Sequence, residues 1–248
     1  MSLIQFQHVN MAYGDNLVLH DFSLRVEEGE CLAVIGSSGC GKTTALRLVN
    51  GLLLPTSGDV LVKGENTKSA NLTQLRRRIG YSIQGNVLFP HLTVEKNIAY
   101  VPSLTKGANK RRIKEEVSRW LEIVGLDEGF RRRYPEELSG GQQQRVGLAR
   151  ALAASPEILL MDEPFSAVDE ITRRQLQQEF LRIRIQTGIT VMFVTHDINE
   201  ALMLGTRILV MHGGRIQQLG TPEEIRSRPA TEFVRQLVSG CDGVSQAR

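Results

Sequence analysis

Apolar and polar positions change period several times along the chain, and each change predicts an element. Phe22, Leu24 and Val26 alternate with Ser23 and Arg25, the period of a half-buried strand. Glu28-Gly29-Glu30 marks a turn. Cys31–Ile35 is then continuously apolar, as a strand covered on both faces should be. Residues Lys42–Asn50 read as a helix, and Gly58–Gly64 and Ile79–Ile83 as two short strands. From about Gly85 to Pro156 the pattern turns helical. Ile113, Val117, Trp120, Leu121 and Val124 share one face, with Gly125 as the stop. A second helix starts near Ser139 and carries Val146, Ala149, Leu152 and Ala153 on one side. Strands resume at Ile158–Asp162, Thr190–Thr195 and Arg207–Met211, with a helix around Arg173–Gln186 closed by Gly188. His212-Gly213-Gly214-Arg215 predicts a hairpin turn before a strand at Ile216–Leu219. Thr221-Pro222-Glu223-Glu224 has the spacing of a capping box with proline at the first helical position. No repeat or low-complexity tract interrupts the pattern.

The chain has 248 residues, 41% hydrophobic, enough for one large α/β domain or a core with an inserted subdomain. Thirty basic and 27 acidic side chains leave a net charge of +3, which argues against nucleic acid as the main partner. The runs Arg76-Arg77-Arg78 and Arg131-Arg132-Arg133 read as solvated faces. Cys31, Cys40 and Cys241 lack the spacing of a zinc site or a disulfide framework, which fits a reducing, cytoplasmic compartment. Cys40 reads as a small residue tolerated in a loop, with redox control as the minor alternative. Nothing at the N-terminus resembles a signal peptide, and no run approaches the ~18 apolar residues that span a bilayer. The expectation is a soluble protein whose membrane role, if any, needs a partner.

Gly36-Ser37-Ser38-Gly39-Cys40-Gly41-Lys42-Thr43 follows a predicted strand and opens a predicted helix, the context of a phosphate-binding loop. Glycines let backbone N–H groups approach phosphate oxygens, and the helix N-terminus adds further donors. Lys42 supplies a mobile positive charge for the β- and γ-phosphates, and the Thr43 hydroxyl suits Mg²⁺. Ile158–Asp162 is an apolar strand that ends in two acids, Asp162 and Glu163. Ligands of open parallel sheets sit beyond the carboxyl ends of strands, so Asp162 is expected near the phosphate loop, holding Mg²⁺ directly or through water. Glu163, one residue further, is placed to polarise an attacking water, help typically worth ~10²–10⁴ in rate. The plain alternative is that Asp-Glu-Pro makes a turn.

Leu138-Ser139-Gly140-Gly141-Gln142 matches the signature sequence of ATP-binding cassette proteins, and the chain resembles their ATPase subunits from end to end. Ser139-x-x-Gln142 also has capping-box spacing, and its bare glycines make a second anion-binding helix start. The resemblance implies an α/β fold: a P-loop NTPase with a RecA-like core and an N-terminal antiparallel β subdomain (1–84 and 157–220), an inserted helical subdomain (85–156) and a helical tail (221–248). It implies that ATP is bound by Tyr13, residues Gly36 to Thr43, Thr44 and Gln84. Tyr13 would stack on adenine, although a tyrosine before Gly14-Asp15-Asn16 is also an ordinary turn residue. Mg²⁺ would be held by Thr43, Gln84 and Asp162. Catalysis would fall to Glu163, His196 and Lys42. The signature would contact ATP held on a second copy of the chain in a head-to-tail dimer, and Asp169 would lie on the loop crossing that interface. Val168 stands where the family more often has leucine. The remaining histidines (His8, His20, His91 and His212) read as structural.

Separate ATPase chains with this tail are typical of bacterial importers. The implied partners are transmembrane permease subunits and an extracytoplasmic solute-binding protein, and the implied location is the cytoplasmic face of the membrane. Residues Gly85–Pro102 read as a docking surface for a cytoplasmic coupling helix, though Leu88, Phe89 and Ile98 cannot all be exposed. The stretch from Phe89 and that around the signature look most like the glycine betaine/choline/carnitine osmoprotectant branch. Many of those ATPases continue into paired cystathionine-β-synthase-type domains that these 248 residues lack. Amino-acid importers are the close competitor; lipid-trafficking and non-transport cassette proteins are more distant ones.

Overall fold

The computed structural model describes residues 2–83, 88–104, 109–166 and 168–242. Two compact units divide it: Met1–Arg76 with Thr190–Arg248, and Arg77–Ile189.

The first unit begins with an antiparallel hairpin, β1 (Ser2–Tyr13) and β2 (Asn16–Glu27), closed by Gly14-Asp15. Phe6 and Phe22 meet edge-to-face across it with centroids 5.1 Å apart. β1 is 12 residues long, yet its alternation is broken by bulges, with His8 at φ +49°. β3 (Cys31–Gly36) follows, apolar and buried through Ile35. The chain then enters α1 (Lys42–Val49), which buries Ala45, Leu46, Leu48 and Val49. Its end is clamped by Arg76, whose guanidinium donates to the carbonyls of Asn50 and Gly51. β4 (Ser57–Val62) and β5 (Glu65–Asn66) complete a four-stranded sheet in the order β2-β1-β4-β5, and α2 (Leu72–Arg77) closes this run.

After the second unit the chain returns with β8 (Thr190–Val194), α7 (Ile198–Leu204) and β9 (Arg207–His212). β3 pairs in parallel with both β8 and β9. β10 (Arg215–Gly220) adds antiparallel to β9 through the expected glycine turn. α8 (Pro222–Ser227) starts in a complete capping box between Thr221 and Glu224. α9 (Glu232–Asp242) ends the described chain and buries Val234 and Val238.

In the second unit β6 (Ile79–Ser82) pairs in parallel with β7 (Ile158–Asp162). Between them lie α3 (Val94–Ser103), α4 (Lys110–Ile123) and α5 (Gly140–Leu152); α6 (Glu170–Thr187) follows β7. α4 buries Val117, Trp120 and Leu121, the face set by the periodicity. α3 lies inside the stretch read from sequence as a docking surface. Part of its described portion packs inward: Leu88, Val94 and Ile98 are buried, and so is Asn97. Asn97 accepts from the N–H of Phe89 and donates to the carbonyls of Phe89, Leu92 and Thr93, stitching the preceding turn to the helix. The basic runs are not wholly solvated either. Arg131 is 12% exposed, pairs with Glu95 and Glu128 and donates to the Lys114 carbonyl.

Candidate functional site

Backbone crowding shapes the phosphate loop. A Cβ on Gly36 (φ +156°) would lie 2.0 Å from the Met211 carbonyl oxygen, so only glycine lets β3 leave β9 at this angle. Gly41 has φ +96°, and a Cβ there would meet Leu19 at 2.6 Å and the Val18 carbonyl oxygen at 3.1 Å. β2 therefore lies directly against the loop, in the unit that also carries Tyr13. That tyrosine closes the β1–β2 hairpin and is 46% exposed, so its turn role and an open aromatic face coexist.

Ser38 and Gly39 form the exposed crest of the loop, whereas Cys40 is buried. Lys42 folds back so that Nζ donates to the carbonyls of Gly36 (2.8 Å) and Ser37 (2.9 Å). Gly41 caps α1 with no side-chain acceptor, and the first turn holds no acid. Thr43 and Thr44 continue that first turn. The helix start thus offers N–H groups and the positive end of its dipole to an anion.

The register fixes where His196 falls. Val34 pairs with Val194, so two residues further Gly36 on β3 and His196 beyond β8 stand at the same carboxyl edge. The exposed His196 sits in a turn held by buried Thr195, whose hydroxyl donates to Glu200 (2.6 Å) and accepts from the Asp197 N–H.

In the second unit Asp162 ends β7 and is 2% exposed. Glu163 next to it has φ +49°, a left-handed conformation that costs a non-glycine residue about 1–3 kcal/mol. Three donors converge on its carbonyl oxygen: Gln144 Nε2 at 2.9 Å, Ser166 Oγ at 3.0 Å and the Ser166 N–H at 3.4 Å. The signature opens α5 as its spacing predicts. Ser139 Oγ accepts from the Gln142 N–H, and Gln142 Oε1 accepts from the Ser139 N–H. Leu138 is buried beneath this turn, whereas Ser139 and Gly140 are exposed, and Gly141 and Gln142 are half-buried. The first turn of α5 carries no acid, so it is a second anion-ready helix start.

Asp169 caps α6 by accepting from the Thr172 N–H at 3.0 Å, which starts the helix three residues before the periodicity does. That hydrogen bond holds the Asp169 carboxyl below the usual carboxylate range. Burial lowers the pKa of Arg145, opposed by the Asp169 charge, while its guanidinium donates to the carbonyls of Val124 and Gly125. Gln84, named from sequence as a Mg²⁺ and nucleotide ligand, lies outside the described residues, as do Gly85, Asn86 and Val87 of the docking stretch.

One unit thus carries the phosphate loop, Tyr13 and His196. The other carries Asp162, Glu163, Asp169 and the signature. The clamp of Gln144 on Glu163 escaped the sequence reading. Its one trace is a glutamine two places after the signature, which looks like any polar helical residue.

The ABC transporter family model matches residues 19–166. The glycine betaine uptake system ATP-binding protein YehX of Escherichia coli is 47% identical over 95% of this chain and 76% of its own length. The glycine betaine/carnitine/choline transport ATP-binding protein OpuCA of Bacillus subtilis is 44% identical over 99% of this chain, which spans 64% of that relative. The osmoprotectant import ATP-binding protein OsmV of Salmonella typhimurium is 50% identical over 87% of this chain, and there the match spans 56% of the relative. A solved dimeric post-hydrolysis state of the ATP-binding cassette MJ0796, bound to ADP and Pi, superposes with a TM-score of 0.83 at 34% identity, covering 88% of this chain and 98% of that one. Family match, identities and fold agree with the loop and signature geometry: the chain belongs to the ABC transporter family.

Proposed function

We propose that this chain is the ATP-hydrolysing subunit of a multi-subunit importer for a quaternary-amine osmoprotectant such as glycine betaine, choline or carnitine. The observation that carries the reading is the acid-free, uncapped start of α1 behind a glycine loop with Lys42 folded over it, in a chain whose relatives are named for osmoprotectant uptake.

In this reading the N–H groups of Gly39 to Thr44 take the phosphates, Lys42 swings from its own loop carbonyls to the β- and γ-phosphates, and Tyr13 covers the base. Glu163 orients and polarises the water that attacks the γ-phosphate in line, ADP leaves, and His196 contacts the γ-phosphate. Catalysis is then mostly positioning and charge stabilisation. Thr43 and Asp162, with Gln84, would hold Mg²⁺. A hydroxyl and a buried carboxylate are hard oxygen donors, a set suited to a cation that keeps water and phosphate oxygens in its shell. The ion supplies charge neutralisation of the phosphates.

Ser139 and the first turn of α5 would face ATP bound to a second copy, with Asp169 on the loop between. MJ0796, the cassette of similar fold, is described as dimeric. The output passes to permease subunits at the cytoplasmic face of the membrane and from a solute-binding protein outside; no helix among the described residues is long and apolar enough to cross a bilayer. The test is phosphate release by the reconstituted complex with its binding protein. Glycine betaine, choline or carnitine should stimulate it, and Glu163→Gln should stop turnover while ATP still binds. Stimulation by amino acids alone would move the assignment to that class of importer, and indifference to every solute would remove import.

A further inference from the structure

The phosphate loop has an anchor outside the motif. Gly36 is pressed on the Met211 carbonyl, and one residue further, just past β3 and at the end of β9, Ser37 Oγ and His212 Nδ1 share a hydrogen bond of 3.1 Å. The first turn of the loop is therefore pinned to the end of β9 by adjacent backbone and side-chain contacts. The ring of His212 stacks on Phe233 of α9, with centroids 4.4 Å apart and planes inclined at 38°. α9 is itself fixed. Val234 and Val238 are buried, and Gln218 of β10 holds the preceding turn by donating to the Arg228 carbonyl and accepting from the Ala230 N–H. A continuous path thus runs from the C-terminal helix through Phe233 and His212 to Ser37.

We propose that His212 is a positioning residue for nucleotide binding and that Phe233 sets its ring, so that α9 tunes the affinity of the phosphate loop. The physical argument is preorganisation. Anion binding by backbone N–H groups depends on the loop being held in one conformation beforehand. Neither Lys42 nor the glycines hold the Ser37 side chain: Lys42 takes the Ser37 carbonyl only while the ammonium is turned back, and the Cys40 N–H donates to that same carbonyl at 3.3 Å. When Lys42 moves to phosphate, His212 remains as the side-chain tether of that turn. This inference rests on the reading of residues 36–44 as the ATP loop.

The test is the Kd for Mg·ATP of the purified full chain, with Lys42→Ala as the reference for a disabled loop. His212→Ala should weaken binding by about 3- to 10-fold, the worth of one neutral hydrogen bond, with turnover at saturating ATP within about twofold of wild type. Phe233→Leu keeps apolar volume on α9 but loses the ring, and should weaken binding by about 2- to 5-fold; Phe233→Tyr should restore it. In the His212→Ala background Phe233→Leu should change nothing further, the non-additivity expected of residues acting in series. An unchanged Kd in His212→Ala, or additive effects in the double variant, overturns the proposal while leaving ATP binding intact. A wild-type chain that binds no ATP overturns the reading of the loop itself.

Discussion

Gln144→Ala separates positioning of Glu163 from simple stability. The residue donates one of three hydrogen bonds to the Glu163 carbonyl, at 2.9 Å, where the backbone sits at φ +49°. The two Ser166 bonds remain in the variant, so the carbonyl is still satisfied and the loss is that of one neutral hydrogen bond, about 0.5–1.5 kcal/mol. For a chain of this size that lowers Tm by about 1–6 °C. The left-handed strain at Glu163 is about 1–3 kcal/mol, comparable with what the two surviving bonds supply, so the strained conformer loses its margin. If hydrolysis needs that conformer, kcat falls by about 2- to 12-fold, with the Kd for ATP unchanged. Gln144→Glu keeps the length but sets an acceptor against the carbonyl, so kcat should fall at least as far. The assay is single-turnover phosphate release beside ATP titration and thermal melts. A Tm that falls while kcat stays at the wild-type value would refute the argument, because Gln144 would then only pack the helix.

Three further outcomes follow from single residues. Asn97→Ala empties a fully buried site that makes four hydrogen bonds and should cost about 2–4 kcal/mol, read as a fall in Tm of about 4–16 °C; a loss under 1 kcal/mol would contradict the role given to it. Ser139→Arg breaks the capping box and puts a long cation where the partner's ATP would sit, so hydrolysis should vanish while one chain still binds ATP; retained hydrolysis would mean that the signature does not face nucleotide. Asp169 has its folded pKa depressed by the Thr172 N–H, so its charge stabilises the fold above the unfolded value of 3.8 and that contribution is lost as pH falls below it. Urea melts of wild type and Asp169→Asn should therefore differ above that pH and converge below it; a gap that widens in acid would reverse the assignment.

The parts of the fold that were legible in sequence are those governed by neighbours a few residues apart. Alternation marked β2, continuous apolarity marked β3 and β7, and side chains three residues apart announced the capping boxes at Ser139 and Thr221. α3 was obscured because its buried face includes Asn97, a polar residue that periodicity counts as exposed. α6 starts earlier than its apolar pattern because Asp169, already given another role, caps it. The candidate site divides the same way. Motifs pointed to the glycine loop at 36–43, to Asp162 and to Glu163 as candidates. The strain at Glu163 and the tether at Ser37 were hidden because their partners lie 19 and 175 positions away, at Gln144 and His212, and carry no local signature.

The central claim is that one chain holds half of an ATP site. Sedimentation of Glu163→Gln with and without Mg·ATP tests it most directly, because that variant should bind ATP and not consume it. The expected result is a dimer that forms only with ATP, contains one nucleotide per chain, and fails to form when Ser139→Arg is added. A chain that binds ATP stoichiometrically yet stays monomeric at saturation would contradict the account.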